Sequence, residues 1–203
     1  MVKQTFYNLT PEKQERIREA IIKEIDNKNY DEISINQIVK NAGISRGSFY
    51  QYFDDKRDIF YVVLREFSSE LNNESRKFLS ETKGDLFKTA ELVFDFVANA
   101  HNSVDYSSAL RTVFSFASTN IEIFKTETVN YCGASVTGAI KKYINYDLLN
   151  INSEDDVEHM VGIIGAIMCR SWFEIFVLDK DKDEVIKQLN TMFLLLKNGF
   201  LRR

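Results

Sequence analysis

The sequence predicts an all-α protein, and three features carry that expectation. Its 203 residues include one proline, Pro11, and eight glycines, so few positions interrupt a helix. Apolar residues recur at three- and four-residue spacing along most of the chain, the period of a helix with a buried face. Serine, threonine and aspartate stand where such stretches begin, placed to cap the amides a helix start leaves unpaired.

In chain order, the first strong helix follows Thr10, with Pro11 in its first turn and Ile17, Ala20, Ile21 and Ile25 on one face. Its acids Glu12, Glu15 and Glu19 sit early, where they favour the helix dipole. After Tyr30 comes SINQIVKNAGISRGSFYQYFDDK, residues 34–56. Ser34 is the N-cap of a short helix whose apolar face is Ile35, Ile38, Val39 and Ala42. Gly43 falls where the chain leaves that helix, a position that favours left-handed backbone. Ile44 can tuck between the helices, and Ser45 caps a second short helix in which Phe49 and Phe53 point inward. Helix, tight glycine turn and helix in about two dozen residues form a helix-turn-helix.

A long helix is then expected from a cap at Asp54 or Asp55, through Phe60, Val63, Leu64, Phe67 and Leu71, to the break at Lys83-Gly84. Further helices are expected over 85–101, 107–118 and 121–146, the last interrupted near Cys132-Gly133. Ser153 with Asp156 forms a capping signal for a helix to about Leu178, and Asp181 caps another ending near Asn198-Gly199. Both closing helices hold more apolar surface than one buried stripe needs, so part of it requires a partner. Gly162, Gly165, Ala166 and Cys169 permit close helix approach, within the chain or between copies.

Composition sets outer limits: 44% hydrophobic, 28% charged and a net charge of −4 exclude a uniformly basic nucleic-acid binder. Residues 1–60 carry as many basic as acidic side chains, so the deficit lies beyond them. The outer face of the second short helix carries Arg46, Gly47, Ser48, Tyr50, Gln51 and Tyr52, with Lys56 just after. Hydroxyls, a lysine and helix N-terminal amides suit phosphates. Arg46 and Gln51 suit base edges, guanine and adenine respectively, and Gly47 lets a groove or backbone approach. No enzyme is expected. The histidines His101 and His159 and the cysteines Cys132 and Cys169 have no metal spacing, and neither a phosphate-cradling glycine loop nor a Gly-x-Ser-x-Gly elbow occurs. No metal and no cofactor is expected. The longest apolar-or-glycine run, Val161 to Cys169, is well short of the ~20 residues that span a bilayer, and the N-terminus lacks a signal peptide's apolar core. A cytoplasmic protein without membrane contact is the expectation.

Taken in order, Ser34, Ala42-Gly43-Ile44-Ser45, Gly47, Phe49-Tyr50, Tyr52-Phe53 and Lys56 resemble the DNA-binding domain of TetR/AcrR-family transcriptional regulators, a resemblance running from about Thr10 to Leu64. It implies a three-helix DNA-binding domain over 1–54, with DNA-facing residues Ser34, Ser45, Arg46, Gly47, Ser48, Tyr50, Gln51, Tyr52 and Lys56. Tyr50, Tyr52 and Lys56 match positions that hold the phosphate backbone in the family. It implies a helical effector-binding and dimerisation domain over 55–203. There, Phe94, Ala98, His101, Phe114, Tyr131, Cys169, Trp172 and Phe173 are candidates for an apolar effector pocket. Met160, Ile164, Ile167, Met168, Leu189, Phe193 and Leu196 are candidates for a four-helix dimer interface. The implied partners are double-stranded operator DNA, a second copy of the chain and a small hydrophobic or aromatic effector. The implied function is a homodimeric repressor released by that effector, with activation and corepression left open. The alternative is a helical protein-interaction module that keeps the fold without binding an operator.

Overall fold

The computed structural model describes residues 2–26, 28–99, 111–116 and 135–200, the side chains of 135–137 and 200 excepted. Among these residues the regular structure is helical with no β-strand, as the sequence predicts. The helices are α1 (Gln4–Tyr7), α2 (Pro11–Ile25), α3 (Ile35–Ala42), α4 (Arg46–Tyr52), α5 (Asp58–Glu81), α6 (Leu86–Asn99), α7 (Ser135–Ile140), α8 (Glu154–Phe176) and α9 (Lys182–Phe200). Short 3₁₀ turns cover Tyr30–Glu32, Lys141–Tyr143 and Tyr146–Leu148, and residues 111–116 are helical.

The chain divides into two compact units. The first takes in the described residues up to Phe67 together with 111–116, and the second takes in 68–99 and 135–200. Helix α5 contributes to both, and the expected cut at 54/55 falls inside the first.

The first unit is built on the apolar face of α2. Ile17, Ile21 and Ile25 are fully buried, as are Ile38 and Ala42 of α3 and Phe49 and Phe53 at α4. Each such large side chain contributes about 1.5–3 kcal/mol on removal from water. Helix α2 packs on α3, and α1 packs on α4. The ring of Phe116 stacks on those of Tyr30 and Phe60, at centroid distances of 4.5 and 4.3 Å. The Thr112 hydroxyl donates to the Ile25 carbonyl at 3.0 Å, satisfying an end carbonyl of α2. Helix α5 begins at Asp58, later than the sequence suggests. Asp54–Arg57 form a turn instead, in which the Asp54 N–H donates to Asp58 Oδ2 and the Arg57 N–H to Asp55 Oδ1, each at 2.7 Å.

In the second unit α8 packs against α6 and α9. The predicted Ser153/Asp156 capping box starts α8, with Asp156 accepting from the Asn152 and Ser153 amides at 2.7 and 3.1 Å. Those amide bonds hold the Asp156 carboxyl below its ordinary pKa. The Trp172 indole lies parallel to the Phe94 ring at 5.9 Å and donates to the Phe94 carbonyl at 3.4 Å. After α5 the chain turns at Gly84, whose φ of +81° favours glycine. Space is a second constraint there, because a Cβ would stand 2.5 Å from the Asn145 amide nitrogen.

Candidate functional site

The helix-turn-helix is fixed by local capping and by one buried acid. Ser34 Oγ accepts from the Gln37 amide at 3.4 Å, and Ser45 Oγ from the Ser48 amide at 3.0 Å, as the sequence predicts. Gly43 adopts φ 61°, ψ 40°, and the Ile44 amide returns to the Val39 carbonyl at 3.0 Å, closing α3. A Cβ at Gly43 would meet nothing within 4 Å, so backbone conformation, not space, is what favours glycine. Glu24 was not singled out from the sequence. It is 2% exposed, and its Oε1 accepts from the Ser34 amide at 2.9 Å and from Lys28 Nζ at 2.7 Å. It thereby ties α2 to the start of α3. An acid on the otherwise apolar stripe of Ile17, Ala20, Ile21 and Ile25 was the available signal.

The surface of α4 divides sharply. Arg46, Gly47, Tyr50 and Gln51 are exposed, and Ser48 is half-buried. The Arg46 guanidinium donates to the Asn36 side chain on α3 and to the Tyr50 hydroxyl at 3.4 Å, lying across the outer face. Asn36, Gln37, Lys40 and Asn41 of α3 are exposed too, a row of polar groups the sequence did not bring into the candidate face. A Cβ at Gly47 would approach only Ser45 Oγ, at 3.7 Å, so nothing inside the chain excludes a side chain there.

Two expectations are corrected. Tyr52 is not on the outer face: it is 5% exposed, with its ring near those of Phe6 and Phe53 at 6.4 and 6.3 Å. The α1 segment covers the side of α4 that carries it. Lys56 is not a free cation awaiting a phosphate. Its Nζ donates to the Tyr30 and Ile33 carbonyls at 2.6 and 3.2 Å and lies 4.2 Å from the Tyr30 ring centroid. It clamps the turn that leads into α3.

The N-terminal segment also holds α4. Lys3 Nζ donates to the Tyr50 carbonyl at 2.7 Å, the Lys3 amide to the Tyr52 carbonyl at 2.9 Å, and the Thr5 hydroxyl to the Gln51 carbonyl. These are end carbonyls of α4 with no partner inside the helix. Lys3 Nζ also pairs with Asp54 at 2.9 Å, and its hydrogen bond holds that carboxyl below its usual pKa.

The second unit holds an apolar cavity, partly open to solvent and lined from α5, α6, α7 and α8. Of the expected pocket residues, Cys169 and Trp172 line it. Phe94 sits behind Trp172 in the ring stack, Ala98 is fully buried without lining it, and Phe173 is half-buried away from it. Phe114 belongs to the first unit, and His101 and Tyr131 lie outside the described residues. Ile164 and Met168, expected at a dimer interface, line the cavity instead. Met160, Leu189 and Phe193 are likewise interior, at 6%, 2% and 1% exposure, which removes them as partner-facing groups. Ile167 and Leu196 are half-buried. On the two closing helices, the large apolar side chains left outside are Ile163 of α8 and Leu194 and Leu195 of α9, the last two 61% and 68% exposed. Among the described residues no group of His, Cys, Asp and Glu is arranged to hold a metal ion.

Comparison with known proteins agrees with this arrangement. Residues 17–63 match the family described as bacterial regulatory proteins, tetR family, and residues 85–200 match the tetracyclin repressor-like C-terminal domain. An HTH-type transcriptional regulator of Staphylococcus aureus (strain bovine RF122 / ET3-1) is 39% identical over 59 residues, 29% of this chain and 32% of that protein. Another, from strain USA300, is 39% identical over 54 residues, 27% of this chain and 29% of its own length. The matched region thus spans about a third of those relatives' length. A TetR-family structure from Pectobacterium atrosepticum is similar over 97% of this chain and 99% of its own, with TM-score 0.67 and 15% identity. One from Mesorhizobium loti is similar over 94% and 98%, with TM-score 0.61 and 14% identity. At such identities the likeness is one of fold.

Proposed function

The chain belongs to the TetR family of bacterial regulatory proteins, and from that premise we propose that it is a DNA-binding transcriptional regulator that acts in the cytoplasm as a homodimeric repressor, binding a palindromic operator and releasing it when an apolar effector enters the second unit. The observation that carries the DNA reading is the outer face of α3 and α4. Arg46, Gly47, Tyr50 and Gln51 stand exposed on a helix whose opposite face, Phe49 and Tyr52, is locked into the core. A seven-residue helix reads only a few base pairs, so two copies related by a twofold axis supply the remaining affinity. Exposed Ile163, Leu194 and Leu195 are the surface proposed for that pairing, replacing the interior residues expected from sequence. Binding to anionic DNA despite a net charge of −4 relies on local charge, since phosphate attraction is screened over about 8 Å.

The test is selection of binding sites from random duplexes, followed by titration of the enriched site. Enrichment of a palindrome, with Gln51→Ala and Arg46→Ala relaxing preference at separate positions by about 1–3 kcal/mol each, is the expected result. Recovery of no enriched sequence would favour the protein-interaction alternative. Leu195→Glu is expected to give a monomer by sedimentation, and an intact dimer would move the interface elsewhere.

A further inference from the structure

The cavity of the second unit has a chemical character narrower than apolar. No Lys, Arg, His, Asp or Glu lines it among the described residues. Its polar lining is Ser75, Thr89 and Cys169. The Thr89 hydroxyl is already bonded to that of Thr82 at 2.9 Å. Ser75, 4% exposed, stands on α5 in the cavity wall beside Leu71. Three and seven residues earlier on the same stripe of α5 are Asn72 and Ser68. Among the described residues Asn72 Oδ1 and Ser68 Oγ are buried with no hydrogen-bond partner, and Ser68 is 4% exposed, but neither lines the cavity. The α5 wall of an otherwise largely hydrocarbon cavity therefore presents one polar group, the Ser75 hydroxyl.

A charged ligand would lose its hydration in this cavity and meet no opposite charge. A pure hydrocarbon would bury the Ser75 hydroxyl further while offering it no partner. We propose that the cavity takes a neutral, mainly apolar molecule bearing a hydroxyl or carbonyl group, and that Ser75 hydrogen-bonds that group. This rests on the effector reading above and specifies the ligand class for it. Ser75 can donate to a carbonyl or accept from a hydroxyl, so it fits either group.

The experiment uses the full chain and three probes of equal length: 1-octanol, octanoate and n-octylammonium at neutral pH, measured by isothermal titration and thermal shift. Octanol is expected to bind and to raise the unfolding temperature, with both ions weaker by at least about tenfold. Ser75→Ala is expected to weaken octanol about fivefold while leaving the unliganded unfolding temperature in place, and Ser75→Thr, which keeps the hydroxyl, to restore it. Octanoate or octylammonium binding as tightly as octanol would overturn the neutral-ligand assignment and leave the effector reading standing. So would octanol affinity indifferent to Ser75→Ala. Absence of binding by all three, in the native chain and in Val93→Ala with its widened cavity, would overturn the effector reading itself.

Discussion

Removing the contacts of the N-terminal segment is expected to loosen the recognition helix without touching its DNA-facing side chains. Helix α4 has seven residues, too few to hold a helix alone in water. Its end carbonyls are met by Lys3 and Thr5, and Phe6, 2% exposed, anchors that segment against Phe53 at a ring separation of 5.4 Å. In Lys3→Met/Thr5→Val two side-chain hydrogen bonds disappear, each worth about 0.5–1.5 kcal/mol net. Both are exposed, so the lower half of that range applies, and the surface pair of Lys3 with Asp54, screened by solvent, is left out of the sum. The sum is about 1–2 kcal/mol in favour of a frayed α4. Because fraying must be reversed before docking, operator affinity should fall roughly five- to thirtyfold. Phe6→Ala is a harsher change: emptying a buried aromatic site costs about 3–5 kcal/mol, a large share of the ~5–15 kcal/mol that holds a domain folded. Fluorescence anisotropy with operator duplex at fixed salt reads the first effect, and amide hydrogen exchange across residues 46–53 locates it. Affinity within about twofold of the native chain, together with unchanged exchange, would refute the idea that this segment holds the helix.

Three further outcomes test other joints of the fold. Lys56→Met should lower stability to urea by about 1–2 kcal/mol through the lost bonds to the Tyr30 and Ile33 carbonyls, while the salt slope of operator binding falls by less than the ~0.9 of a free phosphate contact; an unchanged urea midpoint would remove the clamp. Gly84→Ala should destabilise by more than about 2 kcal/mol, combining a strained positive φ with a clash against the Asn145 backbone, and a thermal midpoint near the native value would contradict it. Asp54, Asp55 and Asp156 have pKa values below the ordinary 3.8, through bonds from Lys3, Arg57 and the Asn152 and Ser153 amides respectively. A lowered folded pKa gives stability that is complete above the unfolded value and lost as pH falls through the folded one, so urea midpoints should stay level down to about pH 5 and decline below about pH 4. A midpoint that rises on acidification would refute this.

Much of the helix-turn-helix is legible in the sequence because its determinants are local. Ser34 and Ser45 cap within three residues of themselves, Gly43 needs only its own backbone angles, and the Ser153/Asp156 box closes over one turn. The exposed half of α4 was readable too, since Phe49 and Phe53 fix which way Tyr50 and Gln51 face. Tyr52 was not, because its neighbour Phe6 lies far away in sequence and α1 had no pattern long enough to announce it. Lys56 looks like any surface lysine until the Tyr30 and Ile33 carbonyls are brought beneath it.

The sequence by itself determined that the chain is helical, where its helices are capped, and that residues 34–56 form a helix-turn-helix, because each depends on contacts within a turn or two of chain. The tertiary structure alone decided which apolar face goes where. Helix α8 is apolar nearly all round, so its pattern could not tell Ile164 and Met168, which wall the cavity, from Ile163, which is left outside. Periodicity gives each residue an angle around its helix axis, and only packing against α6, α7 and α9 turns that angle into core, cavity or surface.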